Sequence, residues 1–255
     1  MTSKSNKVAL VTGGSRGLGR DMAIQLAKKN FDVIITYNSN EAEANKVVGE
    51  VKASGKNAIA LQLDVAKSST YDAFVSNVKA KLIKDFGTNQ IHSLVNNAGT
   101  GLYAPFDSTT EEQFDEMVNV HLKAAFFLTQ KSLPILADGG SIVNISSGLA
   151  RFSYGNYSAY AIMKAGIDSL TRYQALELGS RKIRVNSVAP GAIETDFGGG
   201  SVRDNKDLNA MIANTTALGR VGLPDDIGSV VAFLCSEDAK WINAQRLEVA
   251  GGVHI

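Results

Sequence analysis

The sequence predicts an α/β fold: one doubly wound, three-layer sandwich built on a seven-stranded parallel sheet. Two observations predict it. Short apolar runs recur near residues 7–12, 32–36, 58–62, 91–95, 141–146, 182–188 and 246–249, and helical patterns fill most of the gaps. Strands that alternate with helices join through right-handed crossovers, so they lie parallel with helices on both faces. The chain is also large enough for one sizeable core, at 255 residues with 44% hydrophobic content, and α/β folds of this size are commonly one domain. A single domain over residues 1–255 is expected.

The first strand, Lys7-Val8-Ala9-Leu10-Val11, runs straight into Thr12-Gly13-Gly14-Ser15-Arg16-Gly17-Leu18-Gly19. A helical pattern with apolar Met22, Ile24, Leu26 and Ala27 follows, up to a break at Asn30. Strand, glycine turn and helix in that order are the setting of a dinucleotide fingerprint. The glycines let the backbone turn tightly and approach a pyrophosphate, which the exposed N–H groups and the positive end of the helix then bind. No Gly-Lys-Ser/Thr follows, which disfavours a phosphate loop of the NTPase kind.

The second strand ends in Thr36-Tyr37-Asn38-Ser39, where enzymes using NAD usually place a carboxylate on the ribose hydroxyls. Without an acid there a 2′-phosphate meets no repulsion. Asn38 and Ser39 can donate hydrogen bonds to it, and Arg16 supplies positive charge. NADP(H) is therefore expected as the preferred cofactor over NAD(H). The counter-candidates are Asp32, at the start of the strand, and Glu41, in the first turn of the next helix. After the third strand comes Asp64-Val65, and a strand-closing aspartate there would cap a helix beginning at Ser68.

The fourth strand, Ile91–Val95, leads into Asn96-Asn97-Ala98-Gly99, and the run Ile142-Val143-Asn144-Ile145-Ser146 ends at Ser147. Tyr160 stands 13 residues beyond Ser147, and Lys164 four beyond that. Four residues make about one helical turn, so phenol and ammonium would share a face. A nearby cation favours the charged form of a tyrosine, and a general acid works best with a pKa near the operating pH. The pair therefore suits proton exchange with an alcohol or ketone.

These segments together resemble the short-chain dehydrogenase/reductase family, whose fold is of the Rossmann type. Thr12, Gly13, Gly17 and Gly19 match its Thr-Gly-x-x-x-Gly-x-Gly motif, and Asn96-Asn97-Ala98-Gly99 its structural motif. Asn119, 41 residues before Tyr160, falls where the family keeps a helix asparagine, and with Ser147, Tyr160 and Lys164 it completes a catalytic tetrad. Pro190-Gly191-Ala192-Ile193-Glu194-Thr195 matches the segment that holds the nicotinamide carboxamide. Within the family the chain looks most like the 3-oxoacyl-acyl carrier protein reductase and glucose dehydrogenase group.

The resemblance implies an oxidoreductase moving a hydride between nicotinamide and a carbonyl or secondary alcohol. It implies Tyr160 as acid, Ser147 on the same oxygen, and Lys164 both lowering the phenol's pKa and holding the ribose. Asn119 would anchor a relay water. It further implies that Gly13, Ser15, Arg16, Gly17, Leu18, Gly19, Tyr37, Asn38, Ser39, Asp64, Val65, Asn97, Ala98, Gly99, Pro190, Gly191, Ile193 and Thr195 line the cofactor site. Asp64 and Val65 would lie at the adenine ring.

Leu149, Phe152, Tyr154 and Tyr157 lie between serine and tyrosine, and this apolar, aromatic lining favours an apolar or aromatic ketone. Three glycines after Phe197 give residues 197–215 the freedom of a loop, read here as a lid that brings Phe197 and Met211 over the substrate. An acyl carrier protein would need a basic docking patch, for which Arg151 and Arg203 are the candidates. Two alternatives to a reductase are a non-catalytic NADP-binding sensor and an epimerase or dehydratase; the latter needs more chain than follows Thr195.

The charge balance is 26 basic to 25 acidic residues with no basic run, so neither nucleic acid nor membrane is expected as a partner. Cys235, the only cysteine, sits in an apolar run and reads as a buried thiol. His92, His121 and His254 are scattered, with no metal-ligand spacing, and no metal is assigned. Met1 to Lys7 holds no apolar stretch, and a cytoplasmic protein is expected. The helical segments around Ala124–Leu128 and Tyr157–Leu178 are apolar most of the way round, so a second subunit should cover them. Family members commonly form homotetramers through these helices and the C-terminal strand. There this chain departs from the pattern, with Ala250 where aspartate is usual and Ile242-Asn243-Ala244-Gln245 for the usual Thr-Gly-Gln.

Overall fold

The computed structural model describes residues 7–255; the segment before Lys7, read above as holding no apolar stretch, lies outside the described residues. Seven parallel strands form one sheet: β1 (Lys7–Val11), β2 (Phe31–Tyr37), β3 (Ala58–Gln62), β4 (Ile91–Asn96), β5 (Leu136–Ile145), β6 (Arg184–Pro190) and β7 (Arg246–Val249). Their order across the sheet is β3-β2-β1-β4-β5-β6-β7. The order reverses between β1 and β4, and such a switch point opens a crevice at the carboxyl ends of the strands. The glycine turn, Asn96–Gly99, Ser147 and Pro190–Thr195 all leave the sheet at this edge.

Period-two alternation sends successive side chains to opposite faces, and both faces are covered. Ala9 and Val11 of β1 pack with Met22, Ala23 and Leu26 of α1 (Gly17–Lys28), Val47 of α2 (Glu41–Ala53), and Ile227 and Val231 of the later helix Pro224–Cys235. Val8 and Leu10 face the other way, onto Phe74, Val78 and Leu82 of α3 (Tyr71–Phe86) and Leu128 near the chain's middle. Cys235 is buried, as its run predicted.

Two strands start two or more residues away from expectation. β5 begins five residues early, at Leu136, because Gly139 at φ +74° lets the chain shift register against β4 between the Ile91 and Ser93 pairs. β6 begins at Arg184, after Lys182 turns left-handed at φ +57°.

The middle of the chain is one long helical stretch: α4 (Glu111–Met117), a π-helical turn (Val118–Lys123) and α5 (Ala124–Ser132). Thr110 and Gln113 close a reciprocal capping box at its start. The π turn was not foreseen, because nothing in the residue pattern separates one extra residue per turn from an ordinary helix. Residues 197–215 also differ from the expected loop. Gly198, Gly199 and Gly200 turn left-handed at φ +60°, +74° and +79°. The chain then folds into α7 (Ser201–Asp204) and α8 (Lys206–Asn214), with Asn205 capping α8 through the amides of Asp207 and Leu208. α9 (Pro224–Cys235) packs beside α1.

Candidate active site

The glycine turn is built for close approach. Gly13 and Gly17 adopt φ of +65° and +54°. A Cβ on Gly13 would come within 2.9 Å of the Ala98 backbone, and one on Gly19 within 2.2 Å of the Gly13 carbonyl. Neither position admits a side chain. The Gly13 and Gly14 amides bond Thr36 at 3.0 and 2.8 Å, while Arg16 precedes α1 without a side-chain cap, which leaves the first amides of that helix for a ligand. Thr195 is the nearest side chain to Gly17, at 3.5 Å from its built Cβ, so the Pro190–Thr195 segment faces the turn across the crevice. These residues fit a dinucleotide: a cradle that a Cβ would fill, free helix amides and a second wall.

Asn97 does something more specific than expected. Its amide donates to the Thr12 and Gly13 carbonyls at 2.8 and 3.1 Å, bracing the turn from behind. Asn38 and Ser39 are exposed at the tip of β2, and Arg16 is exposed in the glycine turn. Asp32 is spent elsewhere, buried and accepting from the Asn57 amide at 2.8 Å. Glu41 opens α2 beside Tyr37, whose phenol is raised by desolvation first and by that carboxylate second. Asp64 does not cap the helix after Ser68: its carboxylate turns back on the Ala66 amide at 3.0 Å and pairs with Lys67, closing a turn of its own.

Tyr160 and Lys164 lie on α6 (Ser158–Glu177), one turn apart and both buried, as the four-residue spacing requires. The Ser147 hydroxyl stands beside the Tyr160 phenol and accepts from the Leu149 amide at 3.2 Å. Ser146, the neighbouring serine, is buried and donates to the Lys164 carbonyl. Burial raises the Tyr160 phenol well above its ordinary 10, and the neighbouring Ser147 hydroxyl offsets only part of this. Lys164, expected to lower the phenol, does not bring it below that ordinary value. The ammonium donates instead to the Ile145 carbonyl at 2.7 Å and lies 5.5 Å from the Tyr160 ring centre. Burial pulls Lys164 itself down to about 8, with Asp168 acting in the opposite sense.

Asn119 sits in the π turn, where its carbonyl accepts from the Ala124 amide. Among the described residues it makes no direct bond to Lys164. A cavity of about 10 Å³ beside Lys164 is lined by Thr12, Asn96 and His121 rather than by Asn119. His121 donates through Nε2 to the Thr100 carbonyl at 2.8 Å, and its ring meets Tyr160 edge-on at 5.2 Å. Burial first, and Lys164 second, hold it down to about 3, so the imidazole is neutral. It also lies 2.7 Å from where a Gly99 Cβ would stand, so Gly99 lets the loop close on the imidazole.

Tyr157 meets Tyr103 edge-on at 5.2 Å and Tyr154 at 6.3 Å, and Phe197 lies 6.0 Å from the Tyr160 ring. Leu149 packs against the cluster holding Tyr160. Tyr103, which sequence reasoning missed, is held by the Asn156 amide at 2.7 Å. Phe152 does not join this wall; it packs on Gly148 and, at 4.6 Å, on His254. Arg151 and Arg203 do not form a free basic patch, because Arg151 is paired with Glu248 and Arg203 with Asp196 and Asp204.

Known proteins share this arrangement. A family model described as enoyl-(acyl carrier protein) reductase matches residues 13–254. The hydroxynaphthalene reductase-like protein Arp2 of Metarhizium brunneum (strain ARSEF 3297) is 37% identical over 261 residues, covering 98% of this chain and 96% of the relative. The landomycin C-6 ketoreductase LanV, solved with bound NADP and rabelomycin, superposes with a TM-score of 0.88 at 34% identity, over 96% of this chain and 95% of its own. LugOII, a reductase that catalyses keto-reduction at C1 during lugdunomycin biosynthesis, does so with a TM-score of 0.93 at 34% identity, over 99% and 100%. Likeness of this extent runs through the whole sheet and not the glycine turn alone, and it makes this chain a member of the short-chain dehydrogenase/reductase family of oxidoreductases.

Proposed function

We propose that this chain is an NADP(H)-dependent carbonyl reductase acting on aromatic ketones, with fused-ring ketones as the preferred class. The observation that carries the reading is the Ser147–Tyr160 pair, backed by Lys164, set against a wall of Tyr103, Tyr154, Tyr157 and Phe197. Aromatic rings pack edge-on or offset against such a wall, which favours flat substrates. Rabelomycin bound to LanV is in keeping with this.

When bound, NADPH supplies a hydride to the carbonyl carbon. Tyr160 donates its proton to the ketone oxygen as charge develops there, and the Ser147 hydroxyl stabilises the same oxygen. A phenol raised by burial holds its proton at neutral pH, which suits donation. Lys164 would hold the ribose hydroxyls and return a proton to Tyr160. The cavity beside Lys164, lined by Thr12, Asn96 and His121, offers the room one relay water needs.

The first amides of α1, with Gly13, Ser15, Gly17, Leu18 and Gly19, hold the pyrophosphate. Arg16, Asn38 and Ser39 meet the 2′-phosphate, with Asp32 buried on the Asn57 amide and Glu41 turned to the Tyr37 phenol. Tyr37, Asp64 and Val65 border the adenosine. Ala98, Gly99, Pro190, Gly191, Ile193 and Thr195 border the nicotinamide. Residues 197–215 act as the lid of a single domain, tied down by Asn209 to Glu194 at 2.7 Å.

The family model's description favours a second reading, reduction of an acyl carrier-bound substrate. The neutralised Arg151 and Arg203 weigh against it, since an acidic carrier needs an unpaired basic surface. Among the described residues no helix is long and apolar enough to cross a membrane; a cytoplasmic location is part of this proposal and is supported by the balanced charge. Phe126, Phe127, Ile162 and Tyr173 stand exposed on α5 and α6, an apolar face that a second subunit of a homotetramer covers.

The test is a panel of ketones and aldehydes with NADPH and NADH, using wild type and Tyr160→Phe. Tyr160→Phe should keep NADPH affinity and lose about a hundredfold or more in kcat. Activity within about tenfold of wild type, or a higher kcat/KM with NADH, refutes the corresponding half of the proposal.

A further inference from the structure

Ser147 stands where the sheet runs out. The last ladder bond on this side of β5 is the Ser146 amide to the Val188 carbonyl, at 2.7 Å. Beyond it the Ser147 carbonyl has no strand partner. It accepts from the Ala150 amide at 3.1 Å in the following turn, and from Arg246 Nη2 at 3.0 Å.

Arg246 spends its whole guanidinium here. Its Nε donates to Asp168 Oδ2 at 2.9 Å and its Nη1 to Glu248 Oε2 at 2.9 Å. Asp168 lies on α6 one turn beyond Lys164, and its other oxygen accepts from Ser187 at 3.0 Å. The side chains of Arg246 and Asp168 are only 22% and 11% exposed, so this is not a solvated surface pair. Three separate elements thus converge on the main chain of one residue: β7 brings the guanidinium, α6 brings the carboxylate that orients it, and β5 leads into the serine. A planar fork with three fixed bonds leaves little freedom for rotation, which an ammonium could not reproduce.

We propose that Arg246, oriented by Asp168, is a positioning residue for the reduction: it anchors the Ser147 carbonyl so that the Ser147 hydroxyl stays on the Tyr160 phenol. The inference rests on the roles given to Ser147 and Tyr160 above. With the peptide fixed, only the serine's side-chain torsion remains, and the Leu149 amide restrains that. Freed from Arg246, the serine and the turn after it can drift away from Tyr160, and small misplacements of a catalytic group cost rate far more than affinity.

The test uses the full chain with Arg246→Met, the double variant Arg246→Met/Asp168→Asn, Arg151→Met, and Tyr160→Phe as reference. The probe substrate is 1-tetralone with NADPH, and amide hydrogen exchange is followed over residues 146–152. Arg246→Met should lose about 10- to 100-fold in kcat while KM for the ketone and the NADPH dissociation constant stay within about twofold. Exchange over 146–152 should speed up.

The double variant separates anchoring from charge. If the loss came only from leaving Asp168 unpaired beside Lys164, neutralising it would restore the rate; under the proposal the double variant stays as slow as Arg246→Met. Arg151→Met removes the pairing of Glu248 with Arg151 and frees the Val253 and His254 carbonyls, but leaves Ser147 anchored, so its kcat should stay within about twofold of wild type. Wild-type kcat or unchanged exchange in Arg246→Met, recovery in the double variant, or an equal loss in Arg151→Met overturns the proposal. Survival of turnover in Tyr160→Phe instead defeats the reading of the site, and the exchange measurement still decides whether Arg246 anchors Ser147.

Discussion

Lys164 is kept at a cost in stability that can be measured. The ammonium is buried on α6, and its pKa falls from the ordinary 10.5 to about 8, chiefly because burial penalises the charge. At about 1.4 kcal/mol per pKa unit, this destabilises the folded, charged form by about 3 kcal/mol at pH 7. Lys164→Met removes the charge and fills similar volume, but leaves the Ile145 carbonyl without the bond it accepts at 2.7 Å, a loss of about 1 kcal/mol. The ligand-free variant should therefore be about 2 kcal/mol more stable than wild type at pH 7 while losing turnover.

The sign fixes the pH window. Between the folded value of about 8 and the unfolded 10.5 the unfolded chain binds more protons at this site, so wild-type stability rises with pH across that interval and is lost again as pH falls through 8. Urea unfolding of both proteins at pH 7 and pH 10 gives the comparison, because groups common to both cancel in the difference. The variant's advantage should shrink by about 2 kcal/mol at the higher pH. A variant no more stable than wild type at pH 7, or an advantage that does not change with pH, would show that the ammonium is not held in a desolvated site.

Two further outcomes follow from the cofactor cradle. Gly19→Ala puts a Cβ 2.2 Å from the Gly13 carbonyl and 2.6 Å from the Asn97 amide; it should weaken NADPH binding by more than about tenfold and lower stability by about 1–3 kcal/mol, read by fluorescence titration and thermal melts. Asn38→Asp places a carboxylate at the exposed tip of β2 and should shift the ratio of kcat/KM for NADPH over NADH downward by about tenfold or more. An unchanged ratio would move the 2′-phosphate away from Asn38.

What the sequence determined by itself were features written in local spacing. Short apolar runs named seven strands, since burial on both faces leaves mostly apolar residues along them. The glycines at 13, 17 and 19 named the turn because only a residue lacking Cβ fits those positions. The four-residue step from Tyr160 to Lys164 placed both on one helix face because a helix repeats at about that interval.

Tertiary structure alone decided the rest. The phenol's pKa went up because depth below the surface outweighs the Ser147 hydroxyl beside it. Asn97 and Asp64 turned inward onto backbone amides and carbonyls whose positions no neighbour in sequence reveals. Arg151 and Arg203 lost their apparent availability to Glu248, Asp196 and Asp204. Arg246 met Ser147 across 99 positions of chain, a meeting that exists only because β5, β6 and β7 lie side by side. Local periodicity records which way a side chain faces; what it meets there depends on segments far away in the chain, and the packed fold alone brings them together.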